Sequence, residues 1–311
     1  MAQIVLIHGI GQQASSAEEQ EEAWLPSLVK GVLASGHPQA AAVAARIAAS
    51  MDQNELSLAR MAFYGDLFLP SDSQGEEAQA SPAAEALAEA LATALLARAA
   101  ASGDPRLAAE ASNALSQAKS APDGVQGLGA RIRSVATALD ENAWLTVRIF
   151  GALQKAKRDL IQMTRYLTED DLRAAIQARV ALLLAEDTHL IIGHSLGSVV
   201  AWEACQAMTR PLPTLITLGS PLGFDTVVYP MLRPQPPTWP PLVHRWVNVA
   251  HPDDFVAIDP DLGPLFPGKD GQTVESASPP STYEHHAASG YLEEHVTGHA
   301  IADALAVANG R

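Results

Sequence analysis

The stretch that most constrains this chain is residues 188–202, THLIIGHSLGSVVAW. The apolar run Leu190 to Ile192 meets Gly193-His194-Ser195-Leu196-Gly197 and passes into Val199, Val200, Ala201 and Trp202, which reads as strand, tight turn and helix. A turn this sharp holds its central residue at a strained backbone position, and flanking side chains would collide; Gly193 and Gly197 remove those collisions. Ser195 is then expected at the carboxyl end of its strand, above a helix amino terminus whose unpaired N–H groups favour negative charge. The bland alternative is an ordinary strand-to-helix turn.

A chain of 311 residues with 48% hydrophobic content can bury a large core. The formal net charge of −15 argues against nucleic acid as a partner, because phosphate binding rests on Lys and Arg. A single cysteine, Cys205, excludes an internal disulfide framework and any multi-cysteine metal site; inside a helix it is expected to be packing. MAQIVLIHGIG enters a strand directly, with neither a basic leader nor a cleavage site, so a cytoplasmic location is expected. No apolar run approaches the roughly 20 residues of a spanning helix, so no integral membrane segment is expected.

Ile4 to Ile7 reads as a central parallel strand ending at His8-Gly9-Ile10-Gly11. Residues 12–35 follow as an amphipathic helix with Trp24, Leu25, Leu28, Val29 and Leu33 facing inward, then an Ala-rich helix over 38–53 and a strand over 56–64. From 71 to 185 the sequence turns helical, with Leu87, Leu91, Leu95 and Leu96 among alanines and breakers such as Ser102-Gly103-Asp104-Pro105. This insertion is expected to form a lid, leaving a core of residues 1–70 and 186–311. Within it, Trp144 to Leu167 carries Arg148, Lys155, Lys157, Arg158 and Arg165 against Asp159 alone. Such a helix can touch a membrane peripherally, although pairing with acidic neighbours is the plainer reading. Leu215 to Leu218 and His244 to Ala250 are further strands, Gln272 to Glu275 a candidate edge strand, and Tyr291 to Ala308 a closing helix with Ile301, Leu305 and Val307 inward.

A serine needs a base to take its proton and a carboxylate to orient that base. In a parallel sheet these come from segments after later strands. Asp253 and Asp254 follow the strand 244–250, and His285 and His286 precede the last helix, giving the order Ser, Asp, His. His295 and His299 are spaced i, i+4, but HVTGH lacks the glutamate of a zinc-protease helix, so no metal is expected.

VLIHGIG at 5–11, LIIGHSLGSVVAW at 190–202, TLGSPLG at 217–223, NVAHPDDFVA at 248–257 and HHAASGYL at 285–292 together resemble the α/β-hydrolase superfamily, of the esterase and lipase type. The resemblance covers the sheet core and not the helical insertion. It implies a three-layer α/β fold with a mostly parallel sheet, trimmed at one edge to about six strands, and no cofactor. It favours Asp254 over Asp253, because Asp254-Phe255-Val256 matches the family's turn, and His286 over His285 as the base. It places one oxyanion-hole N–H on Ile10 or Gly11 and the second on Leu196. The implied reaction is hydrolysis of a moderately hydrophobic carboxylic ester through acylated Ser195. Thioesterase, acyltransferase, lactonase and amidase activities would use the same residues, and a non-catalytic scaffold is a reading from another class. Exposed lid helices would suit a dimer.

Overall fold

The computed structural model describes residues 2–51, 58–69, 81–119, 156–257, 259–269, 271–280 and 285–307. Its centre is one six-stranded sheet of β1 (Ile4–Ile7), β2 (Ala59–Met61), β3 (Leu190–His194), β4 (Leu212–Leu218), β5 (Val243–Val249) and β6 (Glu275–Ala277). They lie in the order β2-β1-β3-β4-β5-β6, every neighbouring pair parallel. β1 and β3 are buried at every position, as their unbroken apolar runs require of strands covered on both faces. The order reverses between β1 and β3: β2 lies on one side of β1, and β3 and its successors on the other. At such a switch point the two connections leave in opposite directions and open a crevice at the strand carboxyl ends.

Strand residues alternate between faces. Ile4, Leu6, Ile192, Ile216, Leu218, Val247 and Val249 form one core with Trp24, Leu28 and Val32 of α1 (Ala17–Ala34), Val43 and Ile47 of α2 (Ala40–Met51), and Ile301 and Leu305 near the carboxyl end. The intervening residues face the opposite layer. There Trp246 of β5 lies 5.1 Å from Phe266, which also meets Trp202 at 5.5 Å. α1 starts on a capping box, with Ser16 Oγ accepting the Glu19 N–H at 3.2 Å and Glu19 Oε2 accepting the Ser16 N–H at 3.1 Å. Leu33, expected inward, is 56% exposed, because the buried stripe of α1 runs through Leu25, Leu28 and Val32 instead.

Three other elements differ from the sequence reading. Where a strand over 56–64 was expected, β2 pairs only opposite Ile4 to Leu6, and residues 52–57 lie outside the described residues. The edge strand falls at Glu275–Ala277 rather than 272–275; it is largely exposed, so hydrophobic alternation could not locate it, and Arg245 of β5 grips Glu275 through both carboxylate oxygens. The closing helix is two helices, broken at Glu294, whose ψ of 136° is extended. The break lets the Leu292 carbonyl and Gly298 both meet Gly31 of α1, where added Cβ atoms would come within 2.0 Å and 1.9 Å of backbone oxygens.

Between β2 and β3 the chain leaves the sheet unit. Phe68–Arg173 forms a second compact unit, and the first comprises Met1–Leu67 and Ala174–Arg311. This division falls earlier than the expected 185, because the helix Asp170–Ala181 joins the sheet unit from Ala174 onward; there Arg179 holds Asp66 through two hydrogen bonds of 2.7 Å. In the second unit α3 (Pro82–Ala100) begins at a Ser81 cap with Pro82 in its first turn and buries Leu91, Leu95 and Leu96. It packs with α4 (Pro105–Lys119) and α5 (Ala156–Thr168). Of the basic stretch 144–167, residues 144–155 lie outside the described residues; Arg165 on α5 is paired to both oxygens of Glu169 at 3.0 and 3.1 Å. No helix among the described residues is long and apolar enough to cross a membrane.

Candidate active site

At the switch point β3 ends in His194, and α7 (Leu196–Gln206) begins two residues later, α6 being Asp170–Ala181. Ser195 between them has φ 52° and ψ −126°; among the described residues it alone has positive φ without being glycine. Such a conformation costs on the order of 1–3 kcal/mol and persists only where the surroundings enforce it. They do so here by close backbone approach. A Cβ on Gly197 would lie 2.2 Å from the Ile7 oxygen, and one on Gly193 would lie 2.3 Å from the Gly197 oxygen. The Ser195 N–H donates to the Leu218 carbonyl at 3.0 Å, and its own carbonyl accepts the Ser198 hydroxyl at 2.6 Å.

His286 stands just before α8 (Ala288–Glu293) and faces the serine: its Nε2 is 3.0 Å from Ser195 Oγ, and its Nδ1 is 2.7 Å from Asp254 Oδ2. Asp254 sits in the turn after β5, buried, while Asp253 beside it is exposed. The hydrogen-bonded chain thus runs through the second member of each neighbouring pair. A carboxylate on Nδ1 takes that nitrogen's proton as a hydrogen bond and leaves Nε2 as the acceptor toward the serine. Burial works to raise the Asp254 pKa, but the neighbouring His286, the donors His286 and Tyr291 and the Val256 N–H together outweigh it and hold the carboxyl below its ordinary range.

The backbone of His286 is fixed from below, where His194 Nε2 lies 2.9 Å from the His286 carbonyl and so carries the proton. Burial, with His286 adding to it, lowers the His194 pKa to about 3, so this ring is a neutral strut. His8 plays a similar part under the HGIG loop. Its Nε2 accepts the Tyr64 N–H at 3.1 Å, leaving Nδ1 to donate to the Gly9 carbonyl at 2.6 Å, and its ring stacks on Tyr64 at 4.1 Å. The Tyr64 hydroxyl donates to the His8 carbonyl. Burial lowers the His8 pKa to about 4.

Of the expected oxyanion donors, Leu196 opens α7, where an N–H has no intrahelical partner. The N–H groups of Ile10 and Leu196 make no hydrogen bond among the described residues. Gly11 takes φ 82°, a left-handed conformation that favours glycine. Gln20 of α1 ties the loop down through Gln12 Oε1 at 2.8 Å and Ser15 Oγ at 3.0 Å.

Sequence reasoning passed over two residues in this constellation. Gly219 follows β4 at φ 52°, and a Cβ there would stand 2.9 Å from both Asp254 Oδ2 and Tyr291 Cε2; a glycine ending a parallel strand at the crevice was the available signal. Tyr291, which in sequence only opens the closing helix, donates its hydroxyl to Asp254 Oδ2 at 2.6 Å. No spacing rule links a tyrosine to a carboxylate 37 residues away. Elsewhere, His299 pairs with Asp303 at 3.1 Å, and the described residues include no group of three or more His, Cys, Asp or Glu side chains arranged to hold a metal. Cys205 is buried inside α7, which raises its thiol pKa. No protein-family model, curated protein or solved structure matches this chain.

Proposed function

We propose that the protein is a serine hydrolase of the α/β-hydrolase type, cleaving carboxylic esters through an acyl-enzyme on Ser195. The observation that carries this reading is the unbroken series Ser195 Oγ, His286 and Asp254 at 3.0 and 2.7 Å, with the serine at positive φ on a helix amino terminus. A structural hydroxyl needs one partner and no strain; a strained serine facing the acceptor nitrogen of an oriented imidazole has the arrangement of an activated nucleophile.

In the first half-reaction Ser195 Oγ bonds to the ester carbonyl carbon as its proton passes to His286 Nε2. Negative charge collects on the former carbonyl oxygen, where the Ile10 and Leu196 N–H groups supply fixed donors; losing one such donor costs about 3 kcal/mol in comparable sites. The carbon–alkoxy bond then breaks and the alcohol leaves with the proton from His286. Water repeats the sequence on the acyl-enzyme: His286 takes its proton, and the acyl–oxygen bond to Ser195 breaks. The acid departs, and Ser195 recovers the proton from His286. Asp254 stays ionised throughout, facing the transient imidazolium.

The helical unit Phe68–Arg173 is inserted in the chain between β2 and β3, and by that place in the sequence we read it as a lid. Turnover of p-nitrophenyl acyl esters of increasing chain length, compared between wild type and Ser195→Ala, tests the proposal. The expected result is hydrolysis by the wild type that Ser195→Ala abolishes; full turnover by Ser195→Ala overturns it.

A further inference from the structure

We infer that Tyr291 is a positioning residue for this site: its hydroxyl donates to the same Asp254 oxygen that receives His286, keeping that carboxylate ionised and aimed. The inference rests on the reading of Ser195, His286 and Asp254 as a hydrolytic triad. Tyr291 is fully buried, and its hydroxyl has one neighbour of each kind. The His251 N–H donates to it at 3.0 Å, so the phenolic hydrogen is left to point at Asp254 Oδ2, 2.6 Å away. Burial, reinforced by the charge of Asp254, raises the phenol pKa, so the group stays a donor at all working pH.

Asp254 therefore has its acceptor capacity divided between two tasks. Oδ1 takes the Val256 N–H at 2.9 Å and the Ala257 N–H at 3.4 Å, which fix the carboxylate to its own turn. Oδ2 takes His286 Nδ1 and the Tyr291 hydroxyl. The tyrosine ring cannot swing away: it lies 4.2 Å from the His251 ring, and the missing Cβ of Gly219 is what admits its edge. Chemically, a neutral donor on Oδ2 lowers that oxygen's proton affinity. When His286 takes the Ser195 proton, the Nδ1 proton then remains on the imidazolium instead of crossing to Asp254. Among the described residues, the titratable groups that touch these hydrogen-bonded side chains or act on them by charge are His286 itself, His194, His251 and Glu294. The His194 ring is 4.8 Å from His286 and 6.1 Å from Tyr291, and it stays neutral; the Glu294 side chain acts on the Tyr291 hydroxyl through its charge.

Tyr291→Phe keeps the ring and removes the donor. The expected result is a kcat about tenfold or more lower with KM within about twofold, since a hydrogen bond to a charged group is lost while substrate contacts are kept. The acid limb of the kcat–pH profile should also move to higher pH by about half a unit, because Asp254, relieved of one donor, holds the facing imidazolium more strongly. A role in packing alone would lower the thermal midpoint without moving that limb. Should Tyr291→Phe fail to fold, 3-fluorotyrosine at position 291 gives the opposite readout in an unchanged shape: a more acidic phenol donates more strongly and moves the acid limb to lower pH. If Ser195→Ala abolishes turnover but neither Tyr291 replacement moves the acid limb, this inference falls and the triad reading stands. If Ser195→Ala retains turnover, both fall.

Discussion

Protons on the two buried histidines under the site should make the fold acid-sensitive well above the range in which carboxylates titrate. His8 has its pKa lowered from 6.5 to about 4 and His194 to about 3, both first by burial. In the unfolded chain each binds a proton as pH falls through 6.5, while the folded protein refuses it until pH 4 or below. The stability they contribute is therefore complete above pH 6.5 and is lost progressively as pH drops toward 4. For His8 a difference of about 2.5 pH units, at about 1.4 kcal/mol each, amounts to about 3.5 kcal/mol. Between pH 4.5 and 6 each histidine adds one proton taken up on unfolding, a slope of about 1.4 kcal/mol per pH unit. Urea unfolding followed by tryptophan fluorescence at several pH values measures that slope. His8→Gln keeps an acceptor for the Tyr64 N–H and a donor for the Gly9 carbonyl but cannot titrate, so its slope should be shallower than wild type by about 1.4 kcal/mol per unit. The comparison of slopes does not depend on how much the substitution itself destabilises. Equal slopes, or a His8 ring proton that titrates near pH 6.5 in an NMR series, would refute the reasoning.

Three further outcomes follow from the same contacts. Asp254→Asn should lower kcat by about 10³- to 10⁴-fold with little change in KM, because the amide can hold His286 in the wrong tautomer; a loss under tenfold would remove Asp254 from the mechanism. Gly197→Ala pushes a Cβ against the Ile7 and His8 carbonyls and should cost about 2–3 kcal/mol in urea unfolding, whereas a neutral result would mean that β1 and α7 are not in this contact. Thr217→Val strips the hydroxyl that donates to Asn248 Oδ1 and accepts the Trp246 indole N–H, leaving two buried polar atoms unpaired; a loss of about 2–4 kcal/mol is expected, and an unchanged urea midpoint would count against the network.

What could be read from the residues divides along a physical line. The parallel sheet was legible because a strand covered on both faces must be apolar throughout, as Ile4 to Ile7 and Leu190 to Ile192 are. Ser195 was legible because a sharp turn demands glycines at fixed offsets, and both Gly193 and Gly197 do meet backbone there. Local sequence carries such signals. Contacts made across the fold leave none: Tyr291 reaches Asp254 from a helix, and His194 braces the His286 carbonyl from its place between Gly193 and Ser195. The exposed β6 has no apolar alternation to mark it, and the break at Glu294 answers to Gly31 in a distant helix rather than to a helix-breaking residue.

The most direct test of the central claim is to treat the folded protein with a fluorophosphonate, which phosphonylates activated serines, and to map the adduct by mass spectrometry. One adduct on Ser195, with loss of ester turnover in step and no labelling of His286→Ala, is the predicted result. Turnover that persists with Ser195 unmodified, or labelling that goes elsewhere, would contradict it.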